Sequence, residues 1–185
     1  MWWSDRRSLL LALPLLAAGC GFTPVYGPDG IGSALQNRVL ATEPDSEEDY
    51  LLVRRIEDKI GRPTNPAYDL AYTITTVESG QAVTASGDIT RYNLIGRVRY
   101  KMSRRTDGAI MAEGRISNFA SYSASGSTVD TLSAERDAVR RLMVILADQL
   151  VAELYTAVDI DAPLRPADPE ADGALPPDPL GGQGS

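Results

Sequence analysis

Residues 91–102 read RYNLIGRVRYKM, and this stretch decides the fold class. One set of alternate positions is largely apolar and runs from Tyr92 to Met102. The set between them is largely basic and runs from Arg91 to Lys101. Successive side chains of a β-strand point to opposite faces of its sheet, and such alternation is typical of an antiparallel sheet with one covered face and one face in water. The stretch therefore predicts a strand of such a sheet.

Two neighbouring stretches extend the sheet. Residues 70–77 alternate in the same way, and residues 110–119 follow Asp107-Gly108, a pair that readily takes the positive φ angles of a hairpin turn. Small polar residues at 79–88 predict a loose connector between the first two of these strands. Residues 34–42 fit either a helix or a short strand, and we favour the strand.

Two amphipathic helices complete the pattern. The first spans 46–60, starts at a serine that can cap it and ends at Gly61. The second is capped by Thr131 or Ser133 and runs to about Tyr155. Each has one apolar stripe, which a sheet can bury. We therefore expect an α+β fold, a two-layer sandwich in which about four mostly antiparallel strands carry two helices on one face and leave the other bare.

The first residues predict export and lipid attachment. Arg6 and Arg7 precede an apolar run at 8–18, which is too short for a transmembrane helix of roughly 20 residues. A basic start, an apolar run and small residues at the cut are typical of a signal peptide. Residues 16–20 (LAAGC) resemble a bacterial lipobox, so Cys20 is the expected site of lipid attachment. The paired arginines leave general secretion and twin-arginine export both open.

Four segments follow from these patterns. We expect a signal peptide at 1–19, a lipidated Gly/Pro-rich tether at 20–33, the α+β domain at 34–156 and a tail at 157–185. The tail carries six acidic residues against Arg165 and almost no apolar matter. Such a segment cannot bury enough surface to offset its ordering entropy, so we predict that it is disordered.

Composition excludes several functional classes. The chain has a formal net charge of −7, no histidine and one cysteine. A negative charge is unsuited to nucleic acid, whose binding depends on neutralisation of phosphates. Without histidine the commonest general base and the commonest metal ligand are missing, and one cysteine cannot build a thiolate zinc site. No catalytic arrangement stands out, so we expect neither an enzyme nor a cofactor.

A basic stripe is the one patch with functional promise. Arg97, Arg99 and Lys101 alternate along one strand, and Arg115 can join them from the next strand. One interpretation is an anion site, because arginine forks suit phosphate. The other is a solvated face whose charges block edge-to-edge aggregation. The sequence leaves both open, and three further basic residues lie along or at the end of this face: Arg91, Arg104 and Arg105.

Short motifs resemble those of a known family. Residues 20–27 (CGFTPVYG), 90–94 (TRYNL), 121–123 (SYS), 134–138 (AERDA) and 146–150 (LADQL) occur in the order and spacing of lipopolysaccharide-assembly lipoproteins of the alphaproteobacterial type, the LptE family. The resemblance covers residues 16–156. The acidic helix start and the long acidic tail are extras that the family pattern lacks.

The resemblance implies a role. Members of this family plug and help assemble a large outer-membrane β-barrel, the lipopolysaccharide translocon subunit LptD, and they bind lipopolysaccharide. It implies a non-enzymatic lipoprotein anchored to the periplasmic side of the outer membrane. Assigning the lipid A phosphates to Arg97, Arg99, Lys101 and Arg115 is our own hypothesis from the basic stripe. The alternative is an auxiliary, lipid-anchored subunit of another envelope lipid-transport system.

Overall fold

The computed structural model describes residues 30–83 and 89–158, and it contains one four-stranded sheet. Within these residues no helix is both long and apolar enough to cross a bilayer. Cys20, the expected signal peptide and residues 159–185 of the predicted tail lie outside the described residues. The elements in chain order are α1 Ile31–Leu35, β1 Val39–Ala41, α2 Glu47–Ile60, β2 Tyr68–Val83, β3 Ile89–Arg104, β4 Ile110–Ser123 and α3 Thr128–Ala157.

The sheet has the order β1-β2-β3-β4. The strands β2, β3 and β4 form two antiparallel pairs, whereas β1 pairs with the start of β2 in parallel, with Val39 opposite Tyr68. The helix α3 packs against β3 and β4, and α2 packs against α3. The predicted α+β sandwich, with a mostly antiparallel sheet and two long helices on one face, is therefore confirmed.

The core lies between the sheet and the two long helices. Even-numbered residues of β3 and β4 face it, among them Val98, Met102 and Ile116, and they meet Leu142 and Leu146 of α3 in one cluster of buried side chains. Tyr100 belongs to this face, and its hydroxyl donates a hydrogen bond to Glu153 at 2.9 Å. Burial and this hydrogen bond raise the pKa of the Tyr100 hydroxyl, which stays protonated and keeps donating.

An ion pair joins the two long helices. The guanidinium of Arg55 donates to both carboxylate oxygens of Asp148, with distances of 2.8 and 3.0 Å, and Lys59 lies 3.6 Å from the same carboxylate. The hydrogen bond from Arg55 is the largest of the effects that lower the pKa of Asp148. The pair links α2 to α3 at the edge of the core.

Several element boundaries differ from the predictions. The predicted connector at 79–88 is strand in part, because β2 continues to Val83 and β3 begins at Ile89. The strand expected within 34–42 is present as β1, but it is short and follows the unpredicted helix α1. The predicted caps Thr131 and Ser133 are wrong, because Ser127 caps α3 in a capping box with Asp130. By contrast α2 begins after Ser46 and ends before Gly61, as predicted.

Candidate ligand-binding face

Between the register shifts, the odd-numbered residues at 69–79 of β2, 91–101 of β3 and 113–123 of β4 form the sheet face opposite the helices, which we call the open face. Its rows follow from the strand register, which places Thr73 of β2 opposite Arg99 and Arg99 opposite Arg115 of β4. Thr73, Arg99 and Arg115 are all exposed. No helix or strand among the described residues packs on this face, so these side chains meet solvent.

The structure brings together all four basic residues that the sequence analysis singled out. Arg99 and Arg115 are direct cross-strand partners, and Arg97 and Lys101 lie on either side of Arg99 along β3. Directly opposite side chains have Cβ atoms about 4.5–5.5 Å apart, close enough for like charges to repel. Among the described residues, none of these four has a hydrogen bond or an ion pair to another side chain. We call them the basic cluster.

The surroundings of the basic cluster are nearly devoid of acid. The one carboxylate in its rows is Glu113, the cross-strand partner of Lys101, and the neighbours of Arg97 in its row are Thr75 and Ser117. Four cations therefore share a water-exposed surface with one anion. Such a surface attracts anions, and an arginine fork can hold two oxygens of a phosphate at once.

The other basic residues do not belong to the cluster. Arg104 pairs with Asp107 at 3.2 Å and Arg105 with Asp69 at 3.1 Å, so an acidic partner neutralises each of them. Arg91 lies on the open face but six residues from Arg97 along β3, which is roughly 20 Å in a strand. The sequence pattern placed these three residues with the cluster because it shows position along a strand and does not show ion pairing.

An apolar row borders the basic cluster on the same face. Val77, Ile95 and Phe119 are cross-strand partners in one line over three strands, directly beyond the row of Arg97. Phe119 is 59 % exposed and Val77 is 46 % exposed. This row was not among the predicted sites, although an aromatic residue at an odd-numbered position of the strand predicted at 110–119 is a visible signal. The open face is therefore amphipathic, with cations at one end and apolar side chains beside them.

The covered face supports this arrangement from behind. Tyr92 and Tyr122 stack with ring centroids 5.3 Å apart, and the Tyr122 hydroxyl donates to Glu78 at 2.8 Å. Burial and the Glu78 carboxylate raise the pKa of Tyr122. These contacts tie together β2, β3 and β4 at the end where the apolar row lies. No group of histidine, cysteine, aspartate and glutamate side chains within the described part of the chain is placed to hold a metal ion.

Comparison with known proteins identifies relatives at the family level. The model of the family described as LptE, lipopolysaccharide-assembly, matches residues 31–154 of the 185-residue chain. This segment includes the four described strands, all of α2 and all but the last turn of α3. Comparison with curated proteins gave no match.

Two solved structures have the same fold. A candidate lipoprotein from Caulobacter crescentus superimposes with a TM-score of 0.57 at 20 % identity, covering 70 % of this chain and 96 % of the other. The rare lipoprotein B from Shewanella oneidensis superimposes with a TM-score of 0.52 at 14 % identity, covering 64 % of this chain and 92 % of the other. At these identities the likeness is one of fold.

Proposed function

This chain belongs to the LptE family of lipopolysaccharide-assembly proteins, and we propose that it is a lipid-anchored plug of the outer-membrane lipopolysaccharide translocon that binds lipopolysaccharide on its open face. The proposal includes attachment by Cys20 at the periplasmic side of the outer membrane and a β-barrel partner that resembles LptD. It assigns a binding and assembly role without catalysis.

The observation that carries the proposal is the amphipathic open face. Lipid A, the membrane end of lipopolysaccharide, joins phosphate groups to several acyl chains. The cross-strand neighbours Arg99 and Arg115, with Arg97 and Lys101 beside them, supply unpaired cations for the phosphates. The row of Val77, Ile95 and Phe119 supplies apolar surface for the chains. A surface that only kept the protein soluble would have no need of that row next to its cations.

The shape of the domain agrees with a plug. The interior of an outer-membrane barrel is polar. The outward sides of the domain are mostly polar, apart from the apolar row on the open face and single exposed apolar residues of the long helices such as Val129 and Leu132. A compact sandwich of this kind can fill a lumen without exposing its core. The free edge of β4 and the open face would then meet the barrel wall or the lipid.

The test replaces the basic cluster in the full chain. Arg97, Arg99, Lys101 and Arg115 are changed together to glutamine, and the matched control changes four exposed arginines elsewhere: Arg54, Arg62, Arg136 and Arg140. Both variants lose four positive charges. Because hydrogen bonds to charged groups contribute about 1.5–3 kcal/mol each, we expect binding of purified lipopolysaccharide to weaken at least tenfold in the first variant and to change little in the control.

Co-purification from outer membranes tests the partner. We expect the wild-type chain to recover a large β-barrel together with lipopolysaccharide. Recovery of an inner-membrane transporter complex instead would support the auxiliary-subunit alternative. Equal lipopolysaccharide binding by the cluster variant, the control and the wild type would refute the assignment of the open face.

A further inference from the structure

The acidic charge of this protein is concentrated in its last segment. Residues 30–158 carry 15 basic and 17 acidic side chains, a net charge of −2. Residues 159–185, which lie outside the described structure, carry Arg165 against six acidic side chains, a net charge of −5. The protein thus joins a domain with an unpaired basic cluster to a strongly acidic segment, which we call the acidic tail.

The last described residues lie at the end of the sheet where the basic cluster lies. Along α3, Leu142 and Leu146 pack over Gly96, and Glu153 reaches Tyr100 further along β3. The helix therefore runs toward the Lys101 end of that strand and ends at Ala157. The described part of the chain ends at Val158 in the helix layer at this end, and the cluster lies on the opposite side of the sheet.

The tail is long enough to reach around the sheet. Helix and sheet layers together are roughly 20 Å thick, since packed layers lie about 10 Å apart. A segment of 27 residues spans up to about 90 Å when extended, and proline-rich stretches lengthen by about 3.1 Å per residue. The acids at Asp168, Glu170, Asp172 and Asp178 are far enough along the chain to lie over the cluster.

The composition of the tail favours binding over the open face of the sheet rather than addition to the edge strand β4. It holds six prolines, at 163, 166, 169, 176, 177 and 179. Proline has no N–H to donate, so a segment with this spacing cannot add to β4 as a further strand. Carboxylates on an extended segment can instead meet guanidinium groups that project from the open face. A second copy of the domain fits this face poorly, because its own open face is also positive.

We propose that the acidic tail occupies the basic cluster in cis and competes there with anionic lipid. Exposed ion pairs are individually weak, about 0.2–1 kcal/mol, and salt screens them over roughly 8–10 Å. Covalent linkage to the domain compensates for this weakness, because a linked segment has an effective concentration in the millimolar range. The tail therefore binds the cluster only weakly, and a ligand with several phosphates displaces it. The inference uses the proposed function only to name that competitor.

Proximity is tested with a nitroxide in the tail. In the chain with Cys20→Ser, a label at Ala174→Cys is expected to broaden the NMR signals of Arg97, Arg99 and Arg115 and of their open-face neighbours. The broadening should disappear in about 0.5 M salt, where the Debye length is only a few ångströms. The matched control carries the same label and has the six tail acids changed to asparagine or glutamine. Broadening that is uniform, or that falls on the exposed residues of α3 such as Ile145, would overturn the proposal.

Competition is tested with a fluorescent diphosphorylated lipid A in detergent micelles. We expect the neutral-tail variant to bind it about three- to tenfold more tightly than wild type at low salt, because masking reduces the competent fraction. At high salt the two affinities should converge. If the label broadens the NMR signals of the basic cluster but neither chain binds lipid A, the proposed function is refuted and the tail contact is supported. If both chains bind lipid A equally and the label finds no cluster contact, the tail proposal fails and the proposed function stands.

Discussion

Gly96 sets how closely the helix layer approaches the sheet. A Cβ built on it would lie 2.7 Å from Cδ1 of Leu146 and 3.0 Å from Cδ2 of Leu142. The first contact is shorter than real Cβ atoms show and the second is tight, so a larger residue would force the buried side chains of Leu146 and Leu142 to shift. The sequence shows only a glycine on the apolar side of a strand. The small residue is explained by α3, which crosses β3 at Gly96.

We expect Gly96→Ala to lower the free energy of unfolding by about 1–3 kcal/mol, the usual cost of overpacking a core. Urea unfolding measures the change. Because Leu146 is the closest neighbour, the double variant Gly96→Ala/Leu146→Val should be less destabilised than the sum of the two single variants. Strict additivity of the two changes would show that the glycine is not needed for this approach.

The open face is also decided residue by residue. Alternation along β3 predicts which residues share a face, and Arg97, Arg99 and Lys101 follow it. Near the turn the rule fails, because a register shift between Met102 and Ser103 places Ile110 opposite Ser103. Met111, at an odd-numbered position of β4, packs against the core instead of lying on the open face. A β-bulge adds one residue to one strand, and a single sequence carries no mark of it.

At the scale of elements, the start of α3 shows which of three possible N-cap residues caps the helix. Ser127, Thr131 and Ser133 can all cap a helix by residue type. Only the Ser127 hydroxyl accepts from the Asp130 N–H, at 3.3 Å, while Asp130 in turn accepts from the Ser127 N–H, at 3.2 Å. The Ser133 hydroxyl donates to the Val129 carbonyl inside the helix. The cap lies shortly after the end of β4. This strand ends at Ser123, four residues beyond the end predicted from its apolar pattern.

We expect Ser127→Ala to destabilise the protein by about 1 kcal/mol, the typical cost of losing an N-cap. Ser133→Ala is the matched control and should change stability by less than about half as much, since it only removes a bond within a formed helix. Thermal unfolding of both variants decides between them. A larger effect at Ser133 would contradict the cap assigned by the structure.

The pair of Arg55 and Asp148 predicts a pH dependence of helix docking. The pKa of Asp148 is lowered in the folded protein, chiefly by the hydrogen bond from Arg55. A lowered carboxyl pKa contributes stability above the unfolded value of about 3.9, and this stability is lost as the pH falls through the folded pKa. Because both side chains are about one third exposed, the contribution is at most about 1 kcal/mol.

The measurement compares urea unfolding of wild type and Asp148→Asn at two pH values. At pH 7 the variant should be less stable than wild type by up to about 1 kcal/mol. At a pH below the lowered pKa of Asp148 in the folded protein the two should have the same stability, because the wild-type carboxyl is then protonated. Asp137→Asn, on the solvent side of α3, serves as the control. A difference that persists unchanged in acid would show that Asp148 acts by packing and not by charge.

At the scale of the whole molecule, a two-layer sandwich leaves one face of its sheet available. Both long helices lie on the same side, so the sheet serves as a rigid platform for the basic cluster and the apolar row. The proposed functions of the terminal segments depend on this asymmetry. The tether would hold the platform near the membrane, and the acidic tail would cover it until a ligand arrives.

We expect Cys20→Ala to abolish lipid attachment and to move the protein from the membrane fraction to the soluble periplasmic fraction. Mass spectrometry of the native protein should show a chain that starts at Cys20 and carries lipid. The domain itself should keep its stability, because residue 20 lies outside the segment that matches the family model. An intact Met1 or an unmodified thiol in the native protein would refute the anchor.

The sequence by itself determined the alternation of the three long strands, the two amphipathic helices and the α+β class, because periods of 2 and 3.6 residues are local properties of the chain. It also placed Arg97, Arg99, Lys101 and Arg115 on one side. Only the tertiary structure decided which of the basic residues are unpaired, since Asp69 and Asp107 approach Arg105 and Arg104 through folding. The same holds for the parallel pairing of β1 and for the line of Val77, Ile95 and Phe119. These features join residues far apart in sequence, and their pairing depends on strand register and bulges that no local pattern records.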